Sequence, residues 1–442
     1  MALTHAQTEA EVGAESTPRA LRFALLVTPL VGATFISKFG FPPLAALGIG
    51  VSIFVLLGAC MAGALLGGLS IEPRRLALFT AMIGILGLFQ IFQPNSFSPS
   101  SLLLLVAVHL PYIFTVPGSD DKDRIVKFFL GIVTIFACCG IAQYCLQFFV
   151  DVRFLFPIEN FTPSRFIVQQ FHNQANMGYG SHEYRANGVF LLEPSFFSQV
   201  LAVAIVAELC TLGRLSRVGL YGLALIVSYS GTGLIVLAVC LPLCLIAQRR
   251  WGLLVSGLLV LAVIIGLQLY FHANRLLSRI GEFDSEQSSA YMRFVGGFGL
   301  FDKFLWDEPR RAAFGYGAGS FASYASGVRS YAAAEMALFK IVFEFGLVGA
   351  IAYFGFLFAC LYYSSAPRLL TLAVGITFFL NGIYVPFAHG LALSLLLWDS
   401  VPASGAACPA SGAAWSAASG RRRPRETASK DSLQQPRGIR AW

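Results

Sequence analysis

Long apolar runs, separated by short polar loops, occupy most of the chain before residue 400. Many of them approach the roughly 20 residues that an α-helix needs to cross the hydrocarbon core of a bilayer. They predict an all-α polytopic integral membrane protein with about 11–12 transmembrane helices. The runs lie at residues 20–38, 43–69, 75–92, 101–116, 125–149, 188–209, 218–229, 232–247, 251–271, 336–363, 369–385 and 387–398.

The short loops between these runs indicate how the helices are oriented. Basic residues are concentrated in alternate short loops, and such loops stay in the cytoplasm. This rule predicts that both termini are cytoplasmic and that the two longest loops, 150–187 and 272–335, are external. The basic residues of the cytoplasmic loops are Arg74, Arg75, Lys122, Arg124, Arg214, Arg217, Arg249 and Arg250.

Three segments follow from this pattern. Residues 1–19 form a polar cytoplasmic segment, and residues 20–400 form the transmembrane domain. Residues 401–442 are rich in Ala, Ser, Gly, Pro and Arg, a composition that buries too little apolar surface to fold. We therefore expect a disordered, basic C-terminal tail.

The composition excludes several classes of protein. The 442 residues are 56% hydrophobic and only 12% charged, which is far from the balance of a soluble globular domain. The formal net charge is +8, but the lysines and arginines are spread among loops and the tail. That distribution is typical of membrane topology, so no nucleic-acid binding is expected.

The first external loop contains aromatic residues whose role has two interpretations. Phe161, Phe166 and Phe171 are interspersed with Arg165 and Gln169. This spacing fits a short amphipathic helix on the membrane surface, and it equally fits an irregular exposed loop.

The external arginines are the first candidates for chemistry. Both long loops are rich in arginine, whereas the apolar runs carry almost no charge. A guanidinium group stays protonated and offers forked donors, so it suits a phosphate-bearing substrate. Arg185 and Arg293 are the best placed; the alternative is that both are solvated charges or anchors for lipid headgroups.

Glu193 is the second candidate, because a carboxylate inside an apolar run is energetically unfavourable. The run starting at Gly188 predicts that it lies about one and a half turns into a helix, with Pro194 freeing a backbone carbonyl. Glu193 could act as a base, orient an arginine or hydroxyl, or form a structural ion pair.

The stretch from Gly315 to Phe321 could offer backbone N–H groups to a phosphate. No external spacing resembles a metal site, so metal-free chemistry is expected.

Several of these motifs, in this order, resemble a known superfamily. Arg185, Gly188 and Glu193-Pro194-Ser195 at the mouth of a helix are similar to the signature of O-antigen polymerases and ligases, particularly Wzy-type exopolysaccharide polymerases. The resemblance covers roughly residues 125–365. Its further parts are the Ser228–Gly233 break, Arg293 followed by the glycine-rich stretch in the large loop, and Glu344-Phe345-Gly346 in the next helix.

The resemblance implies a GT-C-like fold in the inner membrane of a bacterial cell, with periplasmic loops. It also implies a glycosyltransferase that moves glycan from undecaprenyl diphosphate to another lipid-linked repeat, without cofactor or metal. Arg185 and Arg293 would bind the donor diphosphate. Glu193 is a candidate catalytic residue, as is Glu335, which stands where ligases of the superfamily typically carry a histidine.

The expected partners are undecaprenyl-diphosphate-linked oligosaccharide, membrane lipid, a chain-length regulator and export proteins. Two alternative functions stay open. One is a ligase that transfers glycan to another acceptor, although Glu335 in place of histidine favours a polymerase. The other is a flippase for lipid-linked oligosaccharide, which would carry its charges inside the membrane and often shows two similar halves.

Overall fold

The computed structural model describes most of the apolar part of the chain. The described residues are 18–91, 97–117, 121–169, 171–177, 183–252, 255, 288–327 and 335–399. Almost all of the predicted helix over 251–271 lies outside them, as do residues 1–17 of the predicted N-terminal segment and the whole predicted tail. Contacts divide the chain into a unit of residues 1–402 and a second unit of residues 403–442, which also lies outside the described residues.

The fold is mostly helical, and its main helices follow the predicted apolar runs. Helices α3, α4, α7, α8, α13 and α17 begin at a proline, whose fixed φ and missing N–H suit the first helical position. The described α-helices are α1 (Arg19–Thr34), α2 (Val51–Leu65), α3 (Pro73–Ile91), α4 (Pro99–His109), α5 (Lys122–Leu146), α6 (Val152–Leu155), α7 (Pro157–Phe161), α8 (Pro194–Cys210), α9 (Leu215–Ser228), α10 (Gly231–Ala247), α11 (Ser289–Phe294), α12 (Gly296–Leu300), α13 (Pro309–Phe314), α14 (Ser320–Gly327), α15 (Ala337–Tyr362), α16 (Arg368–Phe379) and α17 (Pro386–Ala392).

Shorter elements connect these helices. Strands β1 (Ser70–Ile71) and β2 (Phe114–Thr115) pair antiparallel in the part of the chain that the structure describes. Single 3₁₀ turns occupy Leu44–Leu47, Leu110–Ile113 and Ser164–Phe166, and π-helical turns occupy Phe301–Leu305 and Leu393–Leu397.

Two of the described helices, α5 and α15, are long and apolar enough to cross a membrane. Among the described residues, seven further apolar stretches are shorter, with 10–17 residues each. They are Val51–Leu65, Pro99–Ile113, Pro194–Cys210, Leu215–Ser228, Gly231–Ala247, Arg368–Phe379 and Pro386–Leu397.

Helix α8 lies at the centre of the fold. Every residue from Pro194 to Leu209 is buried, and α8 packs against α5, α9, α10 and α16. Gly233 in α10 makes the closest approach, because a Cβ there would lie 2.2 Å from the backbone oxygen of Ser198. A helix buried on all sides shows no polar face in its sequence, which is typical of a core helix.

Helix α15 is interrupted at Gly346, which has φ of 67° and ψ of −173°. A side chain is disfavoured in this conformation, and a Cβ would also lie 2.3 Å from the oxygen of Ala313 at the end of α13. The interruption thus allows the backbone of α13 to pack directly against α15.

The loop 150–187 is not a continuous amphipathic helix. Helices α6 and α7 and the turn at Ser164–Phe166 follow one another, and then Ile167 forms an antiparallel bridge with Phe39. Val168 donates its N–H to the oxygen of Lys38 over 2.9 Å. Of the two interpretations of its aromatic residues, the irregular loop is therefore closer to the structure, with short helical turns inside it.

Candidate functional site

Three donors converge on the carboxylate of Glu193. The His172 backbone N–H donates to Oε1 over 3.0 Å, while the Ser195 hydroxyl and Arg293 Nη2 donate to Oε2 over 2.8 and 2.9 Å. Glu193 is only 7% exposed, so these bonds replace water around its charge. A carboxylate has about four acceptor positions, which leaves one on Oε1 that the described residues do not fill.

Arg293 comes to this carboxylate from the large loop. It lies in α11, which begins where the Ser288 hydroxyl accepts the N–H of Tyr291. Its side chain is 22% exposed, and Nη2 also lies 3.5 Å from the Ser195 hydroxyl. Within the described part of the chain only Nη2 of Arg293 has partners, so Nη1 and Nε can still donate to a ligand.

The predicted position of Glu193 inside a helix is wrong. Gly188 and Val189 both have positive φ, 68° and 70°, which keeps the chain irregular there. Glu193 is extended, with φ of −139° and ψ of 157°, and α8 begins at Pro194. Pro194 therefore starts the helix and does not free a carbonyl within it. The carboxylate stands before the first turn, where it can meet a loop.

Arg185 lies at the other end of the same irregular segment. Its Nη2 donates to the oxygen of Met177 over 3.2 Å, and its guanidinium carbon is 5.7 Å from the centre of the Tyr229 ring. Tyr229 follows the last residue of α9 in a left-handed conformation, with φ of 46°. Arg185 is thus placed against the break between α9 and α10.

The predicted polar break between these two helices is confirmed, since α9 ends at Ser228 and α10 begins at Gly231. Thr232 donates to the oxygen of Ser195 over 3.0 Å, and the Ser198 hydroxyl accepts the N–H of Gly233 over 3.0 Å. These bonds hold the break against the first turns of α8. Arg185 contacts Tyr229 in the break, and the break is hydrogen-bonded to the start of α8, which directly follows Glu193. We call these connected segments the polar framework.

Glu335, the second candidate base, lies just before α15. Its side chain is 46% exposed and accepts from Lys340 over 3.0 Å. Lys340 is 3.1 Å from Glu344, which is buried one turn further along the helix. Nearby, Asn381 accepts the N–H of Ala337 and exchanges amide hydrogen bonds with Gln199 of α8. The start of α15 is therefore tied to α8.

The glycine-rich stretch has a different role from the one its sequence suggests. The N–H groups of Tyr316 and Gly317 donate to the carbonyls of Phe343 and Glu344 over 3.0 and 2.8 Å, and the N–H of Phe321 donates to the Glu344 carboxylate over 3.3 Å. Ala318 donates to the side chain of Gln90. These donors are occupied inside the protein, so the stretch anchors the interruption in α15 and does not offer them to a phosphate.

Sequence reasoning missed several of these contacts. The sequence indicates Ser195 only as part of a motif, although its hydroxyl donates to Glu193 and lies 3.5 Å from Arg293 Nη2. Lys340 and Glu344 stand four residues apart inside an apolar run, and this spacing alone predicts an ion pair on a helix. Lys38, at the end of the first apolar run, contacts Glu159 and the carbonyl of Val189; a lysine in that position also marks a polar contact.

This framework lies within a long part of the chain that matches a known protein family. The model of the WcaD colanic acid polymerase family matches residues 46–368. The chain belongs to this family. The match covers Arg185, Glu193, Arg293 and Glu335, and it confirms the resemblance to a Wzy-type exopolysaccharide polymerase. No curated protein and no solved structure matches the chain.

Membership in the WcaD family establishes the general activity. The protein polymerises repeat units into an exopolysaccharide, which makes it an enzyme of the glycosyltransferase type. Its substrate is a lipid-linked oligosaccharide, and the protein is associated with a membrane.

Proposed function

We propose that the polymerase transfers a growing glycan from undecaprenyl diphosphate to the non-reducing end of a second lipid-linked repeat. Transfer occurs at the periplasmic face of the inner membrane, around Glu193 and Arg293. The observation that carries this proposal is the 2.9 Å contact between these two side chains. It places a cation with unused donors beside a carboxylate that can accept one more hydrogen bond.

Arg293 binds the donor diphosphate. Its Nη1–H and Nε–H groups match phosphate oxygens in charge and geometry. As the bond between the anomeric carbon and the diphosphate oxygen breaks, negative charge develops on that oxygen and a fixed guanidinium stabilises it. Arg185 supplies a second positive charge, at the end of the irregular segment that leads to Glu193.

Glu193 accepts the proton of the attacking group. The acceptor hydroxyl oxygen forms a bond to the anomeric carbon, its proton passes to Oε1, and undecaprenyl diphosphate leaves as the anion. Glu335 is the second candidate for this role. Its exposure gives it access to substrate, whereas the ion pair with Lys340 already occupies one of its oxygens.

The membrane setting extends the same proposal. Residues 20–400 form a multi-pass, GT-C-like domain with about 11–12 transmembrane helices, and loops 150–187 and 272–335 are periplasmic. The apolar helices and the basic short loops support this arrangement. Transfer needs neither metal nor cofactor, and a chain-length regulator and export proteins act with the polymerase.

A gene deletion tests the proposed direction and substrate. Cells lacking the polymerase should accumulate single lipid-linked repeats, because synthesis and export of the repeat continue without polymerisation. These repeats should be digestible by glycosidase added to spheroplasts, which shows that they face the periplasm. Accumulation only in the cytoplasmic leaflet would contradict the proposal and favour a flippase.

A further inference from the structure

An open cavity of about 480 Å³ lies in the loop 150–187. Its volume falls in the range of about 300–1,000 Å³ that small-molecule sites occupy. Four of its lining residues are exposed polar side chains, namely Ser164, Gln169, His172 and Gln174. One lining residue contacts Glu193, because the His172 N–H donates to Oε1, the carboxylate oxygen that Arg293 does not contact.

Two lining residues carry acceptor oxygens without donors. Glu159 Oε2 and Asn173 Oδ1 are buried, and no described residue donates a hydrogen bond to either. The Glu159 side chain is 8% exposed, and its other oxygen contacts the fully buried Lys38. A buried acceptor without a donor is unfavourable, so turning either oxygen toward a ligand that brings donors would be stabilising.

The chemistry of these acceptors selects hydroxyl groups. A phosphate or carboxylate brings only acceptors when ionised, so it would meet Glu159 Oε2 with repulsion. None of the described residues lining the cavity is an arginine or lysine. Phe171, which also lines it, offers an apolar surface to the C–H face of a sugar ring. The cavity therefore suits a neutral part of a saccharide and does not suit a diphosphate.

The loop is held firmly enough to form a site. Gln169 donates its N–H to the oxygen of Ala45 over 3.0 Å, and the bridge between Phe39 and Ile167 fixes the adjoining turn. Asn187 donates to the backbone oxygen of Asn173 over 3.0 Å. The cavity wall is thus anchored both to the segment after α1 and to the irregular segment before α8.

We propose that this cavity binds the terminal sugar of the acceptor repeat and presents its hydroxyl to Glu193. The proposal rests on the function proposed above, because Arg293 occupies Oε2 and leaves Oε1 for the acceptor. Donor diphosphate and acceptor sugar then lie near different oxygens of the carboxylate, the diphosphate by Oε2 and the sugar by Oε1. Glu159 and Asn173 accept hydrogen bonds from the sugar, and Lys38 positions Glu159.

The test uses an acceptor that lacks the diphosphate. Lipid-linked repeats from the deletion strain release their oligosaccharide in mild acid, and this oligosaccharide is titrated into the purified full-length protein by saturation-transfer NMR. Asn173→Ala should weaken binding roughly three- to tenfold, the effect of one neutral hydrogen bond. Ser164→Trp, at an exposed position in the lining, should fill the cavity and abolish binding.

The control variant is Asn160→Ala, the same change at an exposed asparagine of the same loop outside the lining. It should bind like the wild type, and inorganic pyrophosphate should not displace the oligosaccharide. Glu159→Gln is less informative, because it leaves the buried Lys38 without its ionic partner.

Several results would overturn the acceptor site: no binding by the wild type, unchanged binding by both Asn173→Ala and Ser164→Trp, or displacement by pyrophosphate. The first two would mean that the cavity holds only water. Failure here is distinct from failure of the proposed function, which is judged by polymer formation in Arg293→Ala. If Arg293→Ala loses polymer while the cavity variants bind normally, only the proposed acceptor site is refuted and the proposed function stands.

Discussion

At the scale of single residues, Glu193 is the group on which the catalytic proposal depends. Arg293 and Ser195 donate hydrogen bonds to its Oε2, and the backbone N–H of His172, in the loop that forms the cavity, donates to its Oε1. The sequence predicts Glu193 and Arg293 as separate candidates because each is a charge in an unusual place. It does not predict their contact, since 100 residues separate them and only the tertiary fold brings them together.

Substitutions at Glu193 and Ser195 distinguish a base from a structural carboxylate. Glu193→Gln keeps the shape but removes the proton acceptor, so polymer formation should fall at least ~100-fold. Ser195→Ala removes one donor to the carboxylate and should slow polymerisation only about 2- to 10-fold. The measurement is polymer produced by isolated membranes at matched protein levels. A wild-type rate in Glu193→Gln would exclude Glu193 as the base and leave Glu335 as the candidate.

At the scale of elements, the apolar runs predict the helices well and their ends less well. Eleven of the runs contain a described helix, and several of these helices begin and end within a few residues of the run, as α5 does for 125–149. Helix α8 starts at Pro194 and not at Gly188, because two consecutive left-handed residues precede it. Periodicity in hydrophobicity cannot indicate such a backbone, since Gly188, Val189 and Phe190 are as apolar as the helix itself.

The interruption in α15 is the element-scale feature with the clearest structural requirement. Gly346→Ala places a methyl group against the backbone of Ala313 and forces a positive φ on alanine, which should destabilise the protein by about 1–3 kcal/mol. Thermal unfolding of the detergent-purified protein measures this as a lower melting temperature.

Gly355→Ala is the matched control for that substitution. It lies on the same helix, and a Cβ there would meet nothing within 4 Å. It should therefore unfold at or slightly above the wild-type temperature, because alanine is the better helix former. Equal melting temperatures for both variants would show that the contact between α13 and α15 does not depend on a glycine.

At the scale of the whole molecule, composition and run length predict the class of protein, and the family match confirms the polymerase. What they do not predict is which polar residues meet across the helices. Gln199 and Asn381, for example, exchange hydrogen bonds across 182 residues of sequence. Such pairs depend on the packing of α8, and the few polar residues in its mostly apolar sequence do not indicate which helices they face.

The proposed topology predicts the location of each loop. Alkaline phosphatase fused after Asn176 or Trp306 should be active, because both sites lie in loops expected in the periplasm. Green fluorescent protein fused after Arg250 should fluoresce, since that loop is expected in the cytoplasm. Phosphatase activity at Arg250 with none at Asn176 would reverse the orientation and move the Glu193 site to the cytoplasmic face.

The most direct test of the central claim is polymerisation by the reconstituted enzyme. Purified protein in liposomes is given single repeats on undecaprenyl diphosphate, and the glycan ladder and released lipid diphosphate are measured. The wild type and Arg311→Ala, which changes a half-buried arginine of the same loop paired with Glu308, should form polymer. Arg293→Ala should lose about 100- to 1,000-fold in rate. Polymer at the wild-type rate from Arg293→Ala would contradict the account.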